Sequence, residues 1–149
     1  YIFGIMKREK TIDHALRATW QSVAKSYNEQ ALKHQSTMAM GMALLYIDQE
    51  SGTPSTALGP SMGMEATSLS RILKNMEEKG LIYREKNPED GRGVLVKLTP
   101  LGKEKREISK HTVLQFNNSV KENIEEIKIE HFFEVTELIN KLITEKVIF

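Results

Sequence analysis

Residues 55–80 read Ser55-Thr56-Ala57-Leu58-Gly59-Pro60-Ser61-Met62-Gly63-Met64-Glu65-Ala66-Thr67-Ser68-Leu69-Ser70-Arg71-Ile72-Leu73-Lys74-Asn75-Met76-Glu77-Glu78-Lys79-Gly80. The spacing predicts a short helix over 55–62, a tight turn at Gly63, and a second helix of about four turns over 65–79 that Gly80 stops. On the second helix Leu69, Ile72, Leu73 and Met76 recur at three- and four-residue intervals, which makes them the buried stripe. The opposite face carries Thr67, Ser70, Arg71, Lys74 and Asn75. These are hydrogen-bonding side chains of the kind that read base edges or hold phosphates in a major groove. A polar solvated face is also what any amphipathic helix shows, so the neighbouring segments have to decide the meaning.

Immediately downstream, Leu81-Ile82-Tyr83-Arg84-Glu85-Lys86 reads as a strand and Val94-Leu95-Val96-Lys97-Leu98 alternates as a second. Between them, Asn87-Pro88-Glu89-Asp90-Gly91-Arg92-Gly93 is a turn-rich connection. A hairpin directly after a helix-turn-helix is a wing, and its tip can bring Arg92 to a minor groove, where the negative potential favours arginine. Asp90 is placed either to shape the loop through an ion pair with Arg92 or to hold that arginine in position.

Outward from this centre the chain is helical on both sides. The prolines, four in all, are Pro54, Pro60, Pro88 and Pro100, so residues 1–53 and 101–149 contain none. Leu16, Trp20, Val23, Tyr27 and Ala31 form one stripe of a helix that Thr11 can cap. Ser36 or Thr37 can cap a second helix with Met38, Met42 and Leu45 on its apolar stripe, ended by Gly52-Thr53-Pro54. Thr99-Pro100 is a strong helix start, a cap followed by proline at the first helical position. The apolar residues beyond it predict two helices with a break near 125–130. The final helix is apolar around much of its circumference and calls for a second subunit to cover it.

Composition limits the alternatives. The chain has 149 residues, 21 basic and 20 acidic, for a net charge of +1. That neutrality hides a gradient: residues 1–52 hold 6 basic and 5 acidic residues, 53–103 hold 8 and 6, and 104–149 hold 7 and 9. The central third is the most positive, as nucleic-acid contact requires. With a cysteine count of 0, disulfides, thiolate metal sites, thiol catalysis and thiol redox sensing drop out. No apolar run approaches the ~18–20 residues of a membrane span, and Tyr1-Ile2-Phe3-Gly4-Ile5 does not read as a signal peptide. The expectation is a cytoplasmic protein with no membrane association, with Met6 as a candidate native start. No phosphate-binding glycine-rich motif, H-E-x-x-H or G-x-S-x-G appears, so no enzyme and no cofactor are expected.

The segments Leu58–Met64, Thr67–Leu73 and Met76–Ile82 resemble the winged helix-turn-helix of MarR-type transcriptional regulators. Asp90-Gly91-Arg92 followed by Leu98-Thr99-Pro100-Leu101-Gly102 is similar to that family's wing signature, an Asp-x-Arg before a Leu-Thr-x-x-Gly. The resemblance implies a mainly α fold with a small β-hairpin wing over a single domain, 1–149. Within it, 1–52 would be N-terminal helices, 53–103 the winged lobe and 104–149 C-terminal dimerisation helices. It implies a homodimer on a pseudo-palindromic operator of double-stranded DNA, usually a repressor relieved by a small molecule. Carried over, Thr67, Ser68, Ser70, Arg71 and Lys74 form the major-groove set, Arg92 enters the minor groove with Asp90 orienting it, and Ser55 and Thr56 bond phosphates. Pro60 departs from the pattern and predicts a short or kinked helix. Glu65 stands where Asp, Ser or Asn more often caps, which predicts a weaker cap.

An organic effector would draw on Trp20, Tyr27, Met38 and Met42 with Arg17 as anion partner; the same apolar residues also suit a dimer core. Aromatic acids and fatty acyl groups both fit that description. Missing cysteine counts against the peroxide-sensing branch. Some members sense zinc through histidine and carboxylate, which singles out His34 with His111, but the widely spaced histidines lead to an expectation of no metal. A winged-helix protein-interaction module is the rival reading. It would keep the fold and lose the cationic set, yet Arg71, Lys74 and Arg92 occur together.

Overall fold

A computed structural model of the chain describes Lys7 and residues 10–149; the Met6 start considered above lies outside the described residues. The helices are α1 (Ile12–Leu32), α2 (Met38–Tyr46), α3 (Ser55–Met62), α4 (Ala66–Glu78), α5 (Pro100–Asn123) and α6 (Glu126–Thr144). Three strands, β1 (Thr53–Pro54), β2 (Ile82–Asn87) and β3 (Asp90–Leu98), form one antiparallel sheet in the order β1-β3-β2. The chain packs as two units, Tyr1–Thr112 and Val113–Phe149, whose boundary falls inside α5.

The core of the first unit lies under the winged lobe. Leu44 and Ile47 from the α2 end, Leu58 from α3, Met76 from α4 and Ile82 and Val96 from the sheet are its large, fully buried side chains. Met40, Met62 and Met76 also belong to it, at 2%, 9% and 0% exposed. In α4 Leu69, Leu73 and Met76 are buried and Ile72 packs against them, the stripe the sequence predicts.

Helix α2 corrects the sequence reading. Its buried residues are Met40, Ala43 and Leu44, with Ile47 following, whereas Met38, Met42 and Leu45 are only half-buried. The helix also stops at Tyr46 rather than at Gly52. Ile47 turns extended and drops into the core, and the Asp48 carboxylate then collects the N–H groups of Glu50 and Ser51 at 2.9 and 2.8 Å and the Ser51 hydroxyl at 2.9 Å. Those hydrogen bonds, with a smaller contribution from the Arg106 charge, hold the Asp48 carboxyl below the usual carboxylate range. Thr37 caps α2, its Oγ1 accepting from the Met40 N–H at 3.2 Å. Thr37→Ala is expected to cost about 1 kcal/mol and Thr37→Ser almost nothing, read from urea midpoints. Equal midpoints for all three proteins would dismiss the cap.

Thr53-Pro54, expected only as a helix terminator, pairs with Val96 and Leu95 of β3 and makes a third, edge strand, where a proline is tolerated. Gly52 (φ 76) allows the approach, since a Cβ there would stand 2.9 Å from the Val96 carbonyl oxygen. The wing connection is shorter than the expected 87–93. Pairing runs to Asn87 and resumes at Asp90, so only Pro88-Glu89 turn, and Gly91, Arg92 and Gly93 bulge between the Asn87–Asp90 and Lys86–Val94 pairs.

Helix α3 ends at Gly63 in the left-handed conformation (φ 64), with Pro60 inside an eight-residue helix. The break between the last two helices comes at Ile124-Glu125, at the leading edge of the expected window. Neither α1 nor α6 contains a buried residue. Trp20 of α1 is 52% exposed, and on α6 Phe132 and Leu138 are 55% and 52% exposed. Among the described residues no helix is long and apolar enough to cross a membrane.

Candidate nucleic-acid interface

Helix α4 presents the candidate set because its apolar stripe is fixed inward. Thr67, Ser68, Ser70, Arg71, Lys74 and Asn75 are all exposed. None of these side chains takes part in a hydrogen bond or ion pair among the described residues. These exposed side chains can all donate hydrogen bonds, so the face has the chemistry to meet phosphates or base edges. At the N-terminus Glu65 sits in the cap position without a capping side-chain bond, so the first N–H groups of α4 are also left without a side-chain acceptor there. On α3, Thr56 is exposed and Ser55 half-buried at the first turn.

At the wing, Arg92 is exposed on the bulge. Asp90 acts on it through the main chain: Asp90 Oδ1 accepts the Arg92 N–H at 3.0 Å. No ion pair joins the Asp90 carboxylate to the Arg92 guanidinium among the described residues, so the guanidinium is left outward. Asn87 Oδ1 accepts the Glu89 N–H at 3.0 Å and shapes the other side of the turn. The bulge is therefore stiffened by two short side-chain-to-backbone bonds while its cation stays available.

Two residues that hold this face, Arg84 and Lys97, were not singled out in the sequence, whereas Thr99 was expected as the cap of α5. Arg84 of β2 bonds Glu77 at 3.0 Å and ties the wing to α4. Lys97 bonds Glu85 at 2.6 Å across the sheet. Thr99 Oγ1 accepts the Gly102 N–H at 3.0 Å, capping α5, and donates to the carbonyl oxygens beyond α4, 2.6 Å to Gly80 and 3.1 Å to Leu81. Gly102 is buried against that same Leu81 carbonyl, which a Cβ would overlap. The spacing in Leu98-Thr99-Pro100-Leu101-Gly102 thus has a physical cause: Thr99 and Gly102 together dock the start of α5 on the end of α4.

The effector candidates are distributed along α1 and α2. Arg17 and Trp20 are exposed; Tyr27, Met38 and Met42 are half-buried, and burial raises the Tyr27 phenol. Asn28 Oδ1 accepts the Met38 N–H at 2.9 Å, fixing the two helices locally. A separate cavity of about 320 Å³ is lined by residues 45–50 and Arg106, and none of the five candidates borders it. Among the described residues no cluster of three or more His, Cys, Asp or Glu could hold a metal ion, His34 and His111 included.

Comparison with known proteins gives this face its context. Residues 37–94 match the MarR family. The chain is 30% identical over 129 residues to the organic hydroperoxide resistance transcriptional regulator of Bacillus subtilis (strain 168), covering 85% of this chain and 88% of the relative. The chain belongs to the MarR family. Its MarR-family fold is similar to that of S. aureus MepR in a DNA complex, with a TM-score of 0.80, 20% identity, and 89% and 98% of the two chains covered. It is also similar to CouR from Rhodococcus jostii RHA1 bound to p-coumaroyl-CoA, with a TM-score of 0.77, 20% identity, and 88% and 92% covered. The MarR family and the Bacillus relative are transcriptional regulators, not enzymes.

Proposed function

We propose that this MarR-family regulator binds double-stranded DNA sequence-specifically, as a cytoplasmic homodimeric repressor on a pseudo-palindromic operator, and that a small organic effector relieves it. The observation that carries the reading is the exposed, internally unpaired row of Thr67, Ser68, Ser70, Arg71 and Lys74 on α4, with Arg92 left outward on the stiffened wing. In a major groove Arg71 and Lys74 can reach base edges or phosphates, and the hydroxyls can serve either. Ser55 and Thr56, at the first turn of α3, are the phosphate ligands in this reading. The MepR complex shows that a chain of this fold engages DNA, which supports the reading without fixing any contact of this one.

The dimer is supported by two helices, α1 and α6, that contain no fully buried residue. Half-exposed Phe132 and Leu138 on α6 and Trp20 on α1 leave large apolar areas in water, and a second copy is the economical cover. Effector control is supported by the half-buried Tyr27, Met38 and Met42, an adaptable apolar surface, with Trp20 and Arg17 exposed further along α1. CouR is bound to an aromatic acyl thioester, p-coumaroyl-CoA. The Bacillus relative is named for organic hydroperoxide resistance, but a cysteine count of 0 means that no thiol switch operates here.

Selection of bound duplexes from a random pool by the purified protein tests the proposal. A two-fold symmetric consensus with half-sites about 34–36 Å apart is expected. Failure to enrich any sequence would overturn specific recognition, and an asymmetric single site would overturn the symmetric dimer.

A further inference from the structure

The last turn of α4 is gripped from three sides. Arg84 of β2 holds Glu77 at 3.0 Å. Thr99 Oγ1 donates to the Gly80 and Leu81 carbonyls, and Gly102 packs against the Leu81 carbonyl, at the start of α5. On the third side, Lys79 Nζ donates to the main-chain carbonyl oxygen of Gln35 at 3.0 Å, a contact that spans 44 residues of sequence. Gln35 lies just past α1 with φ 56, a conformation uncommon for a residue with a Cβ. The turn around it is closed by Gln35 N–H to Leu32 at 3.1 Å and Ser36 N–H to Ala31 at 3.0 Å. A defined backbone acceptor at the end of α1 therefore meets the end of the recognition helix.

We propose that Lys79 is a positioning residue for operator recognition, fixing the direction of α4 relative to α1 and so the half-site spacing that the dimer accepts. The inference rests on the DNA-binding homodimer proposed above. The buried Leu69, Leu73 and Met76 seat α4 on the core, and polar contacts at its end trim the direction in which it points. Thr99 and Gly102 supply one such contact, toward α5, Arg84 a second, toward the wing, and Lys79 a third, toward α1. The opposite end of α4 has no capping side-chain bond at Glu65, so the polar side-chain contacts that hold the helix are gathered at the Lys79 end. Two recognition helices must sit about one DNA turn, roughly 34–36 Å, apart. A small swing of each helix shifts that distance by an amount comparable to one base-pair step.

A simpler role for an exposed lysine beside a DNA-reading helix is a phosphate contact, and salt dependence separates the two. A lost phosphate contact weakens every duplex alike and lowers the salt slope by about one. The test measures binding of the wild type, Lys79→Met and Lys79→Arg to the selected operator and to versions with one base pair added or removed between half-sites, at several salt concentrations. The wild type is expected to lose about 10-fold or more on each altered spacing, the scale of a mismatched site. Lys79→Met should lose under about 3-fold with an unchanged salt slope, whereas Lys79→Arg, which keeps a donor for the Gln35 carbonyl, should restore discrimination. Wild-type discrimination in Lys79→Met overturns the proposal, as does a uniform loss with a reduced slope. A wild type that binds none of these duplexes overturns the DNA reading itself.

Discussion

Gly102→Ala is expected to lower the melting temperature by roughly 5–10 °C, even though alanine is the better helix former. In an exposed helix the exchange gains about 1 kcal/mol. Here a methyl group would overlap the Leu81 carbonyl oxygen and stand 3.0 Å from its carbon. Both are backbone atoms in the joint between α4 and α5, so no flexible side chain can yield. Separation of the two helices also strains the hydrogen bonds from Thr99 N and Thr99 Oγ1 to Leu81, each 3.1 Å. Overpacking on this scale costs about 1–3 kcal/mol and weakened buried hydrogen bonds about 1 kcal/mol more, so the loss exceeds the propensity gain. Gly91→Ala is the control: it has nothing within 4 Å of an added Cβ, and its midpoint should stay within about 0.5 kcal/mol of wild type. Thermal melts of the two variants decide the matter, and an unshifted Gly102→Ala would show that α5 is not docked as described.

The double exchange Arg71→Ala with Arg92→Ala is expected to weaken operator binding about 100-fold or more at fixed salt. Loss of a base-reading arginine costs about 1–3 kcal/mol, and the two sit on separate elements, α4 and the wing, so their losses should add approximately. Two cations leave the interface, so the slope of log affinity against log salt should fall by roughly 1–2. Neither guanidinium has a hydrogen-bond or ion-pair partner among the described residues. Melting should therefore change little, which separates a binding defect from a folding defect. Undiminished affinity would leave the chain as a winged-helix scaffold that recognises something other than DNA through this face.

The sequence was most legible where polarity alternates with helical period. In α4, Leu69, Leu73 and Met76 are separated by polar residues, so the phase of the buried stripe has one solution and the outward set follows from it. Helix α2 offers no such contrast. From Met38 to Ile47 almost every residue is apolar or small, so spacing alone could not distinguish the Met38–Met42 face from the Met40–Leu44 face. Strand β1 was hidden for a different reason: two residues carry no period, and Pro54 argues against a strand except at an edge. The positioning contacts of Lys79, Arg84 and Thr99 depend on partners distant in sequence or on backbone carbonyls, which leave no pattern in the side chains. Asp90 illustrates partial legibility, since its neighbourhood to Arg92 could be read but not that it would hold the backbone and free the guanidinium.

The burial of Met40, Met62 and Met76 has a consequence beyond packing. In a chain without thiols, methionine sulfur is the side chain most open to mild oxidation. These three sulfurs sit where oxidant arrives only when the winged lobe opens, whereas the half-buried Met38 and Met42 can be reached from the folded state. Conversion of a core thioether to the polar sulfoxide disfavours reclosure, so a peroxide that meets the open lobe leaves a lasting mark. The methionines thus form a built-in ledger of native-state breathing. Its outer marks fill by surface chemistry, and its inner marks fill in proportion to how much of the DNA-reading lobe stands open to oxidant.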